Sequence, residues 1–158
     1  MKIEPPNKVS RSFTQTLCAP PEEVFPLLCP VREAEWVNGW RPSLVLTSSG
    51  GGEPGCIFVT PGVPQDSVWL MTEFDRERYR VEILKVIPGV VVGKIEVRLR
   101  PHGEGESQAD IIYTYTALSD YGTAMLKEFT EPHFVSFMET WENELNHFLT
   151  TGTKLDLR

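Results

Sequence analysis

From Ser43 to Leu118 the chain breaks into short apolar and alternating runs separated by tight polar turns, and only one long amphipathic stretch follows. A set of strands this size has one apolar face too many unless something long covers it, so this pairing limits the architecture more than any other feature. The expected strands are Leu44–Ser48, Cys56–Thr60, Ser67–Phe74, Tyr79–Ile87, Val90–Arg100 and Gln108–Leu118. Their short connections, such as Asp75-Arg76-Glu77-Arg78 and Pro88-Gly89, predict an antiparallel meander and leave no room for parallel crossover units. The covering element lies at the end. Advancing about 100° per residue places Phe134, Phe137, Met138, Trp141, Leu145, Phe148 and Leu149 in one stripe. Met125 and Phe129 fall off that stripe, and Pro132 sits at the change of phase, so a kink or two successive helices is expected there. Ser119 or Asp120 would cap the first piece and Gly152 would end the second.

Ahead of the meander, Lys8–Leu17 alternates with Val9, Phe13 and Leu17 on one side, as a half-buried strand does. Ala19-Pro20-Pro21-Glu22-Glu23 has proline and acidic residues where a helix begins, and Pro30 limits that helix to a short piece. A second short helix is expected from Pro30 through Val31–Val37, with Gly39 as its terminator. The whole predicts an α+β chain over residues 1–158 as one domain. A curved antiparallel sheet of about seven strands would wrap a long C-terminal helix, with two short helices after the first strand.

Charge narrows the partners. Fifteen Lys and Arg against 22 Asp and Glu leave a net charge of -7, which repels nucleic-acid backbones and anionic lipid. No basic run interleaves with aromatics, so no nucleic-acid partner is expected. No stretch is long and apolar enough for a membrane span, and Met1-Lys2-Ile3-Glu4-Pro5-Pro6 lacks the apolar core of a secretory signal. Three widely spaced cysteines, Cys18, Cys29 and Cys56, suit buried free thiols in a reducing cytoplasm, not a disulfide or zinc framework.

A helix gripped by a curved sheet leaves space between them, so the inward residues are the candidate site. Ala109, Ile111, Tyr113, Tyr115 and Ala117 share one face; Ile95, Val97 and Leu99 oppose Lys94, Glu96, Arg98 and Arg100; Cys56, Phe58 and Thr60 are further inward candidates. Val68–Phe74 is apolar on both faces, with Trp69 and Met71 assigned inward and the other face left for a contact surface such as a homodimer. Trp36 and Trp40 would either gate the cavity or anchor the short helices, and the anchoring role is favoured. Glu33 and Glu35 lie two apart and do not face each other, so solvated charges are favoured over an acid pair. Tyr113 and Tyr115 could orient a ligand carbonyl or phenol, or be satisfied core tyrosines. Phe134, Met138 and Trp141 belong to the helix stripe as core or cavity wall. His102, His133 and His147 have no ligand spacing, and no nucleophile motif is present, so neither a metal, a cofactor nor a catalytic residue is assigned. Gly50-Gly51-Gly52 precedes a strand and lacks the lysine and helix of a phosphate cradle.

Three stretches carry a resemblance to a known family: Ala19–Trp40, Tyr113-Thr114-Tyr115-Thr116-Ala117-Leu118-Ser119, and Trp141-Glu142-Asn143-Glu144-Leu145-Asn146-His147-Phe148-Leu149. With the topology between them, the sequence resembles the START-like, or SRPBCC, superfamily and its helix-grip fold, in particular small bacterial SRPBCC proteins of unassigned function. The resemblance implies an apolar ligand cavity and selects no chemistry. It leaves three functions open. One is binding or carrying a small aromatic or lipid-like molecule, with Trp36, Trp40, Phe58, Trp69, Met71, Tyr113, Tyr115, Phe134, Met138 and Trp141 as lining. Another is a polyketide cyclase or aromatase activity in the same cavity, with Glu73 or Tyr113 as the first groups to examine for a shifted pKa. The third is a protein-interaction module.

Overall fold

The seven runs form one antiparallel sheet in the computed structural model, which describes residues 1–158. The strands are β1 (Lys8–Leu17), β2 (Leu44–Leu46), β3 (Ile57–Thr60), β4 (Ser67–Asp75), β5 (Arg80–Ile87), β6 (Val91–Pro101) and β7 (Ser107–Ala117). Their order across the sheet is β1-β7-β6-β5-β4-β3-β2, so every neighbour is a sequential hairpin except β1, which closes against β7. Burial alternates as the pleat requires: Val91, Gly93, Ile95, Val97 and Leu99 are buried, while Lys94 and Glu96 pair with each other on the outer face.

Three local features differ from simple periodicity. The first helix, α1 (Pro21–Val24), passes into a 3-10 turn at Phe25–Leu27, because Pro26 has no N–H to continue the α pattern. The second predicted helix is only a 3-10 turn, Arg32–Glu35. In β4 the register shifts between Met71 and Glu73, and this bulge turns Phe74 inward. There Phe74 packs on Phe25 with ring centroids 4.5 Å apart.

The C-terminal stretch is two helices, α2 (Asp120–Glu128) and α3 (Glu131–Thr151), divided at the predicted break. Ser119 caps α2 by accepting from the Gly122 N–H, and Thr130 caps α3 by accepting from the His133 N–H. No helix is long and apolar enough to cross a membrane. Phe134, Met138 and Leu145 of α3 are fully buried with Trp36, Leu17 and Ile111. Burial of side chains this size contributes about 1.5–3 kcal/mol each.

α3 is also fastened to the edge strand β1 by polar groups. Gln15 Nε2 donates to the Met138 carbonyl at 2.9 Å in the buried interior. The Thr16 N–H donates to Glu142 Oε2 (2.6 Å), the Cys18 N–H to Asn146 Oδ1 (2.9 Å), and Asn146 Nδ2 returns a bond to the Thr16 carbonyl (3.0 Å). Those bonds occupy backbone groups that an edge strand otherwise leaves open. Of the three free cysteines, Cys29 and Cys56 are buried, whereas Cys18 is exposed, contrary to the expectation of three buried thiols.

Gly122 marks the closest approach of α2 to the sheet. A Cβ there would lie 2.0 Å from the Val90 carbonyl oxygen, a backbone atom that cannot turn aside. Gly122→Ala should therefore destabilise the fold by about 3 kcal/mol, measured by urea unfolding. Unchanged stability would mean that α2 is free to move off the β5–β6 turn.

Candidate functional site

Large aromatic side chains keep α3 from closing fully on the sheet. Tyr113 meets Phe134 at 5.4 Å and Phe137 at 6.2 Å between centroids, and Tyr115 meets Phe129 edge-on at 4.9 Å. The result is a cavity of about 640 Å³ between the concave face, α3 and the loop after the short helices. Its floor is Val81, Ile83, Ile95 and Val97; Trp40, Phe58 and Trp69 form one wall, and Phe129, Phe137 and Trp141 form the roof. Phe58 and Trp69 stack at 5.3 Å with 12° between planes, and Trp40 abuts both edge-on. An adjoining space of about 360 Å³ lies under α2, and Lys85, Tyr115, Phe129 and His133 line both.

Three of the four indole N–H groups around the cavity are satisfied. Trp36 donates to the Leu27 carbonyl, Trp40 to the Pro30 carbonyl and Trp69 to Thr60 Oγ1, at 3.1, 2.8 and 2.9 Å. Asn38, at the rim, is held by Glu144: its backbone N–H and Nδ2 both donate to that buried carboxylate, and Nδ2 also reaches the Leu155 carbonyl. Four half-buried ionisable groups of the wall have no hydrogen-bond or ion-pair partner in the protein. They are the Glu33 carboxyl, the Lys85 amine and the hydroxyls of Tyr113 and Tyr115.

Each of these four titrations is displaced by burial. Glu33 opens onto the cavity, so protein covers it only in part, yet it is withdrawn from bulk water and its pKa is pushed up to about 8. Tyr113 is driven well above its ordinary value, first by burial and then by the neighbouring Tyr115 and Glu33 charges. Burial pushes Tyr115 up to about 12. It lowers Lys85, whose Nζ lies 4.7 Å from the Trp69 ring centroid and 5.9 Å from that of Tyr115. Gly93 makes room for this arrangement, since a Cβ there would come within 2.5 Å of the Tyr115 ring.

The residues singled out from sequence divide into two sets. Trp40, Phe58, Trp69, Tyr113, Tyr115 and Trp141 line the cavity. Trp36, Met71, Phe134 and Met138 do not; all four are fully buried in the core behind the wall. Trp36 anchors the short helices, packing on Trp141 at 5.2 Å. Glu73 is not in the cavity either, because the β4 bulge sets it beside Glu82 in the outward register. Glu35 pairs with Arg32 at 2.7 Å on the surface, but Glu33 faces inward, which corrects the reading of both as solvated charges. Lys85 was passed over, although the parity that carries Val81, Ile83 and Ile87 inward carries it too.

No protein-family model matches the sequence, and no curated protein matches it by sequence. Solved structures do match. Norcoclaurine synthase from Thalictrum flavum superposes with a TM-score of 0.69 at 10% identity, over 92% of this chain and 88% of that one. An uncharacterized protein from Rhizobium leguminosarum gives 0.64 at 12% identity, over 94% and 99%. The di-domain ARO/CYC protein BexL of the BE-7585A biosynthetic pathway gives 0.66 at 14% identity, with 90% of this chain spanning 48% of that one. The chain has the helix-grip fold of these structures. In this chain the space between the sheet and the C-terminal helix holds the four unpartnered groups.

Glu33 gives this site a pH signature. Its carboxyl holds a proton more tightly folded than unfolded, so stability should fall as pH rises from about 4.5 towards 8 and then level off. Discounted for water that enters the cavity, the effect of Glu33→Gln should be a gain on the order of 1–2 kcal/mol above pH 8 and little below pH 5. Parallel unfolding curves for the two proteins at all pH values would show that the Glu33 carboxyl is solvated.

Proposed function

We propose that this protein binds a small hydrophobic molecule, aromatic or lipid-like, between the sheet and α3. The observation that carries the reading is a cavity of about 640 Å³ with an aromatic and aliphatic wall and a few polar groups that no other protein atom engages. Pockets of that size and composition suit drug-sized ligands, and burial of apolar surface supplies about 25 cal/mol per Å² before association costs. The related folds support the aromatic choice: norcoclaurine synthase has been seen in complex with dopamine and hydroxybenzaldehyde.

A second reading is a cyclase-type enzyme, as the likeness to BexL suggests. Its favouring observation is Glu33, which keeps its proton up to about pH 8 beside Tyr113 and could act as a general acid in the same space. A separate surface supports self-association. Leu44, Leu46, Ile57, Val68 and Leu70 are exposed together on the outer face of β2, β3 and β4, where cross-strand pairing sets Leu46 against Ile57 and Ile57 against Leu70. A homodimer through this face should dissociate when Leu46 and Leu70 are both changed to Lys, as read by light scattering. A monomeric native protein would end that idea.

Ligand binding is tested by native mass spectrometry of the purified protein and by calorimetry with apolar aromatic compounds. Ile95→Trp, which puts a larger ring into the floor, should weaken binding by roughly tenfold or more at modest cost in stability. Undiminished affinity in that variant would place the ligand elsewhere.

A further inference from the structure

Lys85 is the least accounted-for group in the molecule. It projects from β5 into the cavity and takes part in none of the protein's ion pairs. The contrast is with Lys94 on the adjacent strand, which faces outward and binds both Glu82 and Glu96 at 3.3 Å. What surrounds Lys85 Nζ instead is ring faces, those of Trp69 and Tyr115. Such faces stabilise an ammonium less than its withdrawal from water costs, so burial holds the amine below its ordinary pKa. The titratable groups nearest it under α2 are Tyr115 on β7, His133 on α3 and Glu128 at the end of α2, and Glu33, Arg41 and Tyr113 line the larger cavity with it; Glu128 is exposed and makes no ion pair with Lys85.

We propose that the ligand of this cavity is a small apolar monocarboxylate, with its carboxylate on Lys85 and its flat body against the Trp69–Phe58 stack. The proposal rests on the hydrophobic-cavity reading and adds the ligand's charge to it. A carboxylate arriving at Lys85 makes a charge-assisted hydrogen bond away from bulk water, where such bonds are strongest. Tyr115, its ring turned to the same amine, brings a hydroxyl that no protein atom engages. Lys85 is the one cation in the cavity interior, and Arg41 is exposed at the rim. One interior positive charge matches a monoanion, not a phosphate dianion. Glu33 would repel a second carboxylate if ionised, but its proton is retained at neutral pH.

The test compares 2-naphthoic acid with its methyl ester, and decanoic acid with its methyl ester, by calorimetry at neutral pH. Native protein should bind at least one acid roughly tenfold or more tightly than the matching ester. Lys85→Met should abolish that preference while still binding the ester, which also reports that the variant is folded. Lys94→Met should leave the preference intact. Equal affinity for acid and ester in native protein, or a preference that survives Lys85→Met, overturns the proposal and leaves the hydrophobic-cavity reading standing. Failure of both acids and both esters to bind native protein overturns the two together.

Discussion

The hydrogen bonds between β1 and α3 set where everything else can go. Gln15, Thr16 and Cys18 hold one flank of the helix against one edge of the sheet through Met138, Glu142 and Asn146. A helix pinned at an edge cannot settle along the middle of a curved sheet. The gap over β3 to β7 must then be filled by side chains or left as space. Rings from both layers prop it open, Tyr113 and Tyr115 from below and Phe129, Phe134 and Phe137 from above. The cavity is thus a consequence of off-centre docking combined with bulky residues, not of a missing element.

That geometry also explains why its polar groups are chemically unusual. Lys85, Glu33, Tyr113 and Tyr115 project from elements whose backbones are fully committed, into a space too apolar to solvate them well. Burial displaces all four titrations towards the neutral form. Elsewhere in the protein, charged groups such as Lys94, Arg100 and Asp110 are paired on the outer face, and there a hydrogen bond to the partner leads the displacement.

Much of the fold was legible from period and turns. Alternating or apolar runs between polar turns located every strand, and the phase break at Pro132 located the boundary between α2 and α3. What periodicity could not give was the distinction between a residue in the core and one on the cavity wall. Trp36 and Trp40 sit four apart with similar surroundings in sequence, yet one is fully buried and the other faces the cavity. Met71 points inward as its strand parity predicts but lies in the core behind the wall; Glu73 was misjudged for a different reason, since the bulge between them depends on how β4 meets β5 and leaves no mark in β4 itself. Glu33 shows the limit of composition: a charged residue on a short polar turn reads as solvated until the tertiary fold shows what lies over it. Lys85 was within reach of strand parity, and the assumption that lysine points outward hid it.

The closure of β1 against β7 has a consequence for the order in which the chain can acquire its structure. Strands β2 to β7 are joined by successive hairpins, so each has its partner close by in sequence. β1 is paired with residues about a hundred positions later, from Lys8 with Thr116 to Leu17 with Ser107, and its other edge is bound by residues of α3 further on still. As the chain leaves the ribosome, its first-made strand is the one that must wait. Neither of its two edges has a partner until β7 and α3 have been made.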